Sequence, residues 1–338
     1  MISDATANVY RKVVCCYARV RDKTFFETHD FYRVDIQLMQ QLGYEVVVTN
    51  SVLKMLRTRC DIYYAWWFGY GVSAAILGLI RGKPVIVSGV LHTLACRGLS
   101  GWPTIKRSVM KLTMKIANCS IVCSKGEYDR LEGFQPRWCK IVPLCINSSE
   151  YFFQPMAREK FILIVTQLSV ENVKRKMVLA AVAAFAKFNM CHPEFKLVIC
   201  GAIGEGIDAV RSCVRSYNLD DQVMFTGRVS LKDKIALLQN AWAYLQPTSC
   251  EGFGLAIGEA LSCGTPVVTS PEACVVGTYG DAVYYGNTPE ELAKGLSGLV
   301  ENTSLYQAMQ SLGLNKVATY SLENRRSHFN AILEHVCQ

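Results

Sequence analysis

The stretch Pro247-Thr248-Ser249-Cys250-Glu251-Gly252-Phe253-Gly254-Leu255-Ala256-Ile257-Gly258-Glu259-Ala260 sets two carboxylates eight positions apart, with a Gly-Phe-Gly turn directly after the first. Glu251 is expected to end a loop, the glycines to open a helix, and Glu259 to sit two turns in on the same side. Unpaired amides and the macrodipole at a helix N-terminus both favour a phosphate. A carboxylate further along the helix can accept from two ribose hydroxyls, as in dinucleotide folds. Two carboxylates flanking an anion hole suit a sugar joined to a nucleotide diphosphate.

Where no metal serves a departing diphosphate, cations and backbone amides must stabilise it. Lys174-Arg175-Lys176 supplies three candidates at the start of an expected helix, just beyond a strand ending at Thr166. Gly201-x-x-Gly204-x-Gly206 also follows a strand and opens a helix, but its spacing is not G-x-G-x-x-G. Gly227-Arg228-Val229 follows the next strand, and His92 comes just after the strand expected at 84–89, at a cleft-facing edge.

Those residues need a frame. In the first half, apolar runs at 13–17, 45–49, 61–65, 84–89, 119–123 and 140–143 read as strands, with helices at 32–42, 71–81, 104–117 and 125–132. A polar break near Asn147–Pro155 precedes strands at 161–166, 196–200, 222–226, 243–247 and 266–269. Helices are expected there at 174–190, 206–217, 231–240, 254–263 and 289–300, and residues 304–338 look helical. The pattern predicts two Rossmann-like doubly wound α/β domains facing a central cleft, with ligands outside the carboxyl ends of the strands. The expected division is 1–150, 151–315 and a C-terminal helical segment, 316–338.

The block P-[ST]-x-x-E-G-F-G-L-x-x-x-E-A-x-x-x-G-x-P-V-V closely resembles the Glu-x7-Glu signature of retaining glycosyltransferases of family 4, which have the GT-B fold. Gly82-Lys83-Pro84-Val85-Ile86-Val87, Ala117–Ser124, Lys140-Ile141-Val142-Pro143 and Leu197–Gly206 fall in the order that family uses. The resemblance implies a metal-independent transferase with a nucleotide-diphosphate sugar as co-substrate and no further cofactor. Its acceptor would be a glycan, or lipid-linked or protein-linked. It implies ribose binding by Glu259 and sugar contact by Glu251, with His92 near phosphate or sugar. Diphosphate binding would fall to Lys176, Arg175 or Lys174 and to Gly252, Phe253, Gly254 and Leu255. Gly204, Gly206, Gly227, Arg228 and Val229 would border the base, and the last helix would pack back on the N-terminal domain. Gln167 stands where the family holds an arginine, and Cys16–Asp22 replaces its first Gly-Gly loop. Both departures motivate a rival reading, a nucleotide-sugar-binding homologue without turnover. A GT-B epimerase or a sugar phosphorylase is disfavoured by the intact Glu-x7-Glu context.

Composition narrows the class further. With 51% hydrophobic and 19% charged residues the 338-residue chain is long enough for two cores and is not disordered. Neither half begins with a strand followed by G-x-G-x-x-G, which disfavours a dehydrogenase. The uncharged run Ile62–Ile80 is long enough to span a bilayer, but glycines at 69, 71 and 78 argue for strand, turn and buried helix. No signal peptide is visible, and fifteen cysteines, an odd number without C-x2-C pairs, suggest a reducing cytoplasm and no structural zinc.

Residues 1–155 hold 20 Lys/Arg against 11 Asp/Glu, while 156–338 hold 16 against 17, so the net +8 comes from the first half. No recognised nucleic-acid motif accompanies it. On Thr104–Ala117 the periodicity puts Ile105, Val109, Leu112 and Ile116 on one stripe. Lys106, Arg107, Lys111 and Lys115 lie away from it, and Met110 and Met114 join them beside Trp102. Peripheral contact of 102–115 with an anionic membrane is the expectation.

Overall fold

The computed structural model describes residues 11–89 and 104–338, apart from the side chains of Thr28 and Glu132. Its N-terminal sheet contains β1 (Val13–Tyr17), β2 (Glu45–Thr49), β3 (Ile62–Trp66), β4 (Val85–Ser88), β5 (Cys119–Val122) and β6 (Cys139–Ile141), all parallel, in the order β2-β1-β3-β4-β5-β6. All five residues of β3 are buried, which is why it reads as an unbroken apolar run rather than an alternation. The run Ile62–Ile80 is therefore β3, a turn and most of the Val72–Arg81 helix. Among the described residues no helix is long and apolar enough to cross a membrane.

The second sheet contains β7 (Glu159–Val165), β8 (Lys196–Cys200), β9 (Val223–Gly227), β10 (Ala241–Gln246), β11 (Val267–Thr269) and β12 (Tyr284–Tyr285) in the order β12-β11-β10-β7-β8-β9. The strand order reverses between β7 and β10, whose registered pairs include Ala243 with Ile162 and Tyr244 with Leu163. That reversal places a crevice at the carboxyl ends of these two strands. Only β12, two residues long at a sheet edge, has no counterpart in the sequence reading.

Several contacts hold the halves together. Arg325, on the Leu322–Val336 helix, pairs with Asp35 of the Asp30–Gln41 helix at 2.6 Å, and both side chains are buried. Phe329, Ile332 and Leu333 of the same C-terminal helix join the core formed by Val14, Ile62 and Tyr64. Arg130 donates to Glu272 at 2.8 Å, while the same Glu272 caps the Ala273–Tyr279 helix through Cys274 and Val275 amides. Cys123 Sγ, 3.0 Å from buried Glu127, lies 3.4 Å from the carbonyl of Gly252 in the Gly-Phe-Gly turn. Most of the free thiols are packed into the cores, while Cys250 is disulfide-bonded.

The sequence expectation for 104–117 is corrected by packing. Met110, Thr113 and Met114 form the buried face of the Thr104–Ile116 helix, against Ala74, Ala75 and Leu77. Ile105 and Leu112, assigned by periodicity to the core stripe, are exposed beside the basic residues. Methionine's unbranched chain fills the gap against small-residue neighbours, so it takes the core position. Trp102 lies outside the described residues.

Candidate active site

A cavity of about 460 Å³ occupies the crevice at β7 and β10. The second domain contributes Thr166, Gln167, Arg175, Lys176, Lys234, Glu251, Gly252–Ala256 and Glu259, and the first contributes Phe31 and Leu144. The site is thus shared by both halves.

The cations owe their positions to a helix break. The sequence reading placed one helix over 174–190, but the chain forms Val170–Arg175 and Val178–Cys191 instead. Lys176 closes the first, and Met177, at a left-handed φ of 43°, starts the second. The break turns Lys176 inward, where its ammonium donates to Gln246 Oε1 at 3.2 Å and Val165 O at 3.4 Å. Burial pushes its pKa below the ordinary 10.5; Glu251 opposes that shift and Arg175 adds to it. Arg175 Nη1 reaches Glu251 Oε1 at 2.9 Å and Cys250 O at 3.1 Å, and its Nη2 reaches Asn172 Oδ1 at 3.2 Å. Lys174 points to solvent and takes no part in the cavity.

Glu251 also accepts weakly from Gln246 Nε2 at 3.4 Å. Gln246 therefore sits between Lys176 and Glu251, coupling cation to carboxylate. The turn that follows ends at Gly254, whose φ of 81° a residue with a side chain would adopt only under strain. From it runs the Leu255–Ser262 helix. Its first residues, Leu255 and Ala256, line the cavity edge with Gly254. One turn on, Glu259 pairs with Lys234 at 2.8 Å, and Lys234 also lies 5.0 Å from the Tyr151 ring centroid. Tyr151 is pushed up in pKa by burial, with Glu259 adding to the effect.

Three cations and two carboxylates thus meet in one crevice, leaving a formal charge of +1 (3 − 2) before any ligand enters. The carboxylates are already paired with cations, so an incoming anion must compete for those cations. Lys234, Gln246 and Tyr151 were not recognised from sequence. Lys234 reads there as one charge among Lys232-Asp233-Lys234, and Tyr151 as part of a polar break. Gln246 carried a usable signal, a lone amide ending the apolar strand Ala-Trp-Ala-Tyr-Leu-Gln.

Gly204, Gly206, Gly227, Arg228 and Val229 do not line the cavity. A Cβ on Gly204 would stand 2.9 Å from Leu168 O, and one on Gly206 would meet Val173 at 2.7 Å. Those glycines let one loop lie against another. Arg228 is exposed, and Val229 packs against the core beneath the second sheet. His92 lies outside the described residues.

Fold and site together define a GT-B protein. The chain superposes on a sucrose-phosphate synthase from Thermosynechococcus elongatus with a TM-score of 0.77 at 15% identity, covering 96% of this chain and 99% of that one. It superposes on Anabaena Alr3699/HepE, solved in complex with UDP, with a TM-score of 0.78 at 16% identity, covering 96% and 100%. Residues 148–315 match the family model for glycosyl transferases group 1. Among relatives by sequence, a Mycobacterium tuberculosis glycogen synthase is 27% identical over 282 residues, 77% of this chain. The chain spans 65% of that relative's length. The O-antigen chain mannosyltransferase RfbU of Salmonella typhimurium is 26% identical over 318 residues, covering 87% of this chain and 86% of its own.

Proposed function

We propose that this chain is a retaining, metal-independent glycosyltransferase. Its donor is a nucleotide-diphosphate sugar, a UDP- or GDP-sugar, and its acceptor a glycan or a lipid-linked glycan. The observation that carries this reading is the pairing of Arg175 with Glu251 and of Lys234 with Glu259 around the N-terminus of the Leu255–Ser262 helix.

In this reading the diphosphate takes Arg175 and Lys176 as its counter-charges, together with the amides after Gly254. Drawing Arg175 toward phosphate releases Glu251, which then accepts from a hydroxyl of the donor sugar. Glu259 accepts from the ribose hydroxyls, with Lys234 holding the carboxylate in place. As the anomeric bond breaks, negative charge builds on the leaving phosphate, where the fixed cations and amides stabilise it most. Retention rests on the resemblance of the Glu251–Glu259 block to its family. UDP is the first nucleotide to try, because the Anabaena neighbour is described in complex with it.

Release of free nucleotide from UDP-glucose, UDP-N-acetylglucosamine and GDP-mannose in EDTA, with and without oligosaccharide acceptors, tests the reading. It predicts turnover of one donor, reduced at least about a hundredfold in Lys176→Met, as expected for a charge lost at a developing oxyanion. Donor binding without turnover across all acceptors would favour the rival, a binding protein without transfer. Gln167, at the cavity position where the family holds a cation, is the observation behind that rival.

A further inference from the structure

The basic excess of the N-terminal half has a structural address. The Val52–Arg57, Val72–Arg81 and Thr104–Ile116 helices lie over one face of the first sheet, burying Met55, Ala74, Leu77, Met110 and Met114 beneath them. Their other sides turn outward. Leu53 is 68% exposed, Leu79 68%, Ile80 75% and Ile105 76%, and Leu56, Ile76 and Leu112 are also exposed. Residues 50–60, 70–83 and 104–118, which hold these helices and their flanks, contain nine Lys/Arg and no Asp or Glu. At the carboxyl ends of the first two helices, Arg57, Arg59, Arg81 and Lys83 line a second cavity of about 560 Å³, whose one carboxylate, Asp61, pairs with Lys83 at 3.4 Å. Arg81 holds the helices together there by donating to Thr58 O at 3.0 Å. None of the three helices lines the donor cavity.

Large aliphatic side chains facing water in a group are unfavourable unless something covers them. A protein partner is usually met by charges of both signs, and nucleic acid does not reward exposed leucine and isoleucine. An anionic bilayer takes both components. The aliphatic groups enter the boundary between headgroups and acyl chains, while Lys and Arg stay among the phosphates. We propose that this three-helix face seats the protein on an anionic membrane surface, with Leu79, Ile80 and Ile105 inserted and Lys106, Arg107 and Lys111 at the headgroups. This stands apart from the donor-site reading, because it uses no residue of that cavity.

Sedimentation with phosphatidylcholine vesicles, with and without phosphatidylserine, tests the proposal on the full chain. The wild type is expected to bind only the anionic vesicles appreciably, and less as salt rises. Leu79→Gln/Ile80→Gln, which removes inserted aliphatic surface, and Lys106→Ser/Lys111→Ser, which removes headgroup charge, are each expected to weaken binding about tenfold or more. Circular dichroism melts of both variants should match wild type, since all four residues are exposed. Equal binding to both vesicle types, no binding, or binding indifferent to both variants would overturn the proposal. A dimer in sedimentation velocity that dissociates in Leu79→Gln/Ile80→Gln, without vesicle binding, would assign the face to a second copy of the chain. Vesicle binding by a protein that binds no nucleotide would leave this proposal standing and remove the donor-site one.

Discussion

Arg175 and Glu251 meet at 2.9 Å in the crevice between the two domains. The contact joins the end of the Val170–Arg175 helix, which follows β7, to the loop after β10, and it neutralises the first carboxylate of the Glu251–Glu259 pair. Any diphosphate that enters must win Arg175 away. If it does, Gln167 need not be the cation for the site to work.

Arg175→Ala is therefore expected to weaken UDP binding about tenfold to a hundredfold, the range for a charged hydrogen bond of about 1.5–3 kcal/mol. Gln167→Arg in the same chain should restore much of the loss, because position 167 lines the same cavity. Titration calorimetry on the two single variants and the double reads this directly. An unchanged affinity in Arg175→Ala would remove Arg175 from the phosphate site.

Lys176 gives the site a pH dependence. Burial lowers its pKa in the folded chain, so between that value and about 10.4 the unfolded chain holds a proton the folded chain has released. Stability contributed by this group therefore rises with pH across that window. Diphosphate binding acts in the opposite sense, because the anion favours the ammonium. UDP affinity should then fall as pH rises through the lowered pKa, with net proton uptake in buffers of different ionisation enthalpy. Lys176→Met should flatten the profile, and a profile identical to wild type would contradict the assignment.

Glycines 204 and 206 are expected to matter for stability. With a Cβ only 2.9 Å from the Leu168 carbonyl, Gly204→Ala must shift one loop from the other, at about 1–3 kcal/mol in urea unfolding. Preference among UDP, GDP and dTDP should stay as in wild type. A change of preference at unaltered stability would place these glycines at the base site.

The buried Asp35–Arg325 pair ties the C-terminal helix to the first domain. Asp35 also accepts from Tyr64 and Trp66, and Arg325 donates to the Val142 carbonyl. Asp35→Ala leaves the guanidinium buried without its counter-ion and should cost about 3–5 kcal/mol. Asp35→Leu/Arg325→Met should recover part of that loss, though not the capped carbonyl. Equal destabilisation by single and double variants would show that carbonyl capping dominates.

Much of this was legible in the sequence because local chemistry and global fold agree. Two sets of apolar runs gave two parallel sheets, and the Gly-Phe-Gly turn fell where a helix opens. The Lys176 break was not legible, because Lys174–Met190 has helical propensity throughout and only the tertiary pull of Gln246 and Val165 shows where it turns. The Met110 and Met114 face was misread for a related reason. Periodicity supplies several possible stripes, and packing against Ala74 and Ala75 selects one of them. Lys234 was invisible, since nothing local tells a solvated lysine from one aimed at a carboxylate on another helix.

The central claim is that Glu259, held by Lys234, receives the ribose of a nucleotide diphosphate beside Arg175 and Lys176. Titration calorimetry of UDP, GDP and dTDP in EDTA, with wild type and Glu259→Ala, tests it most directly. The account predicts that one nucleotide binds without metal and that Glu259→Ala weakens it at least about tenfold, roughly 1.4 kcal/mol. No binding by any of the three, or equal affinity in Glu259→Ala, would contradict it.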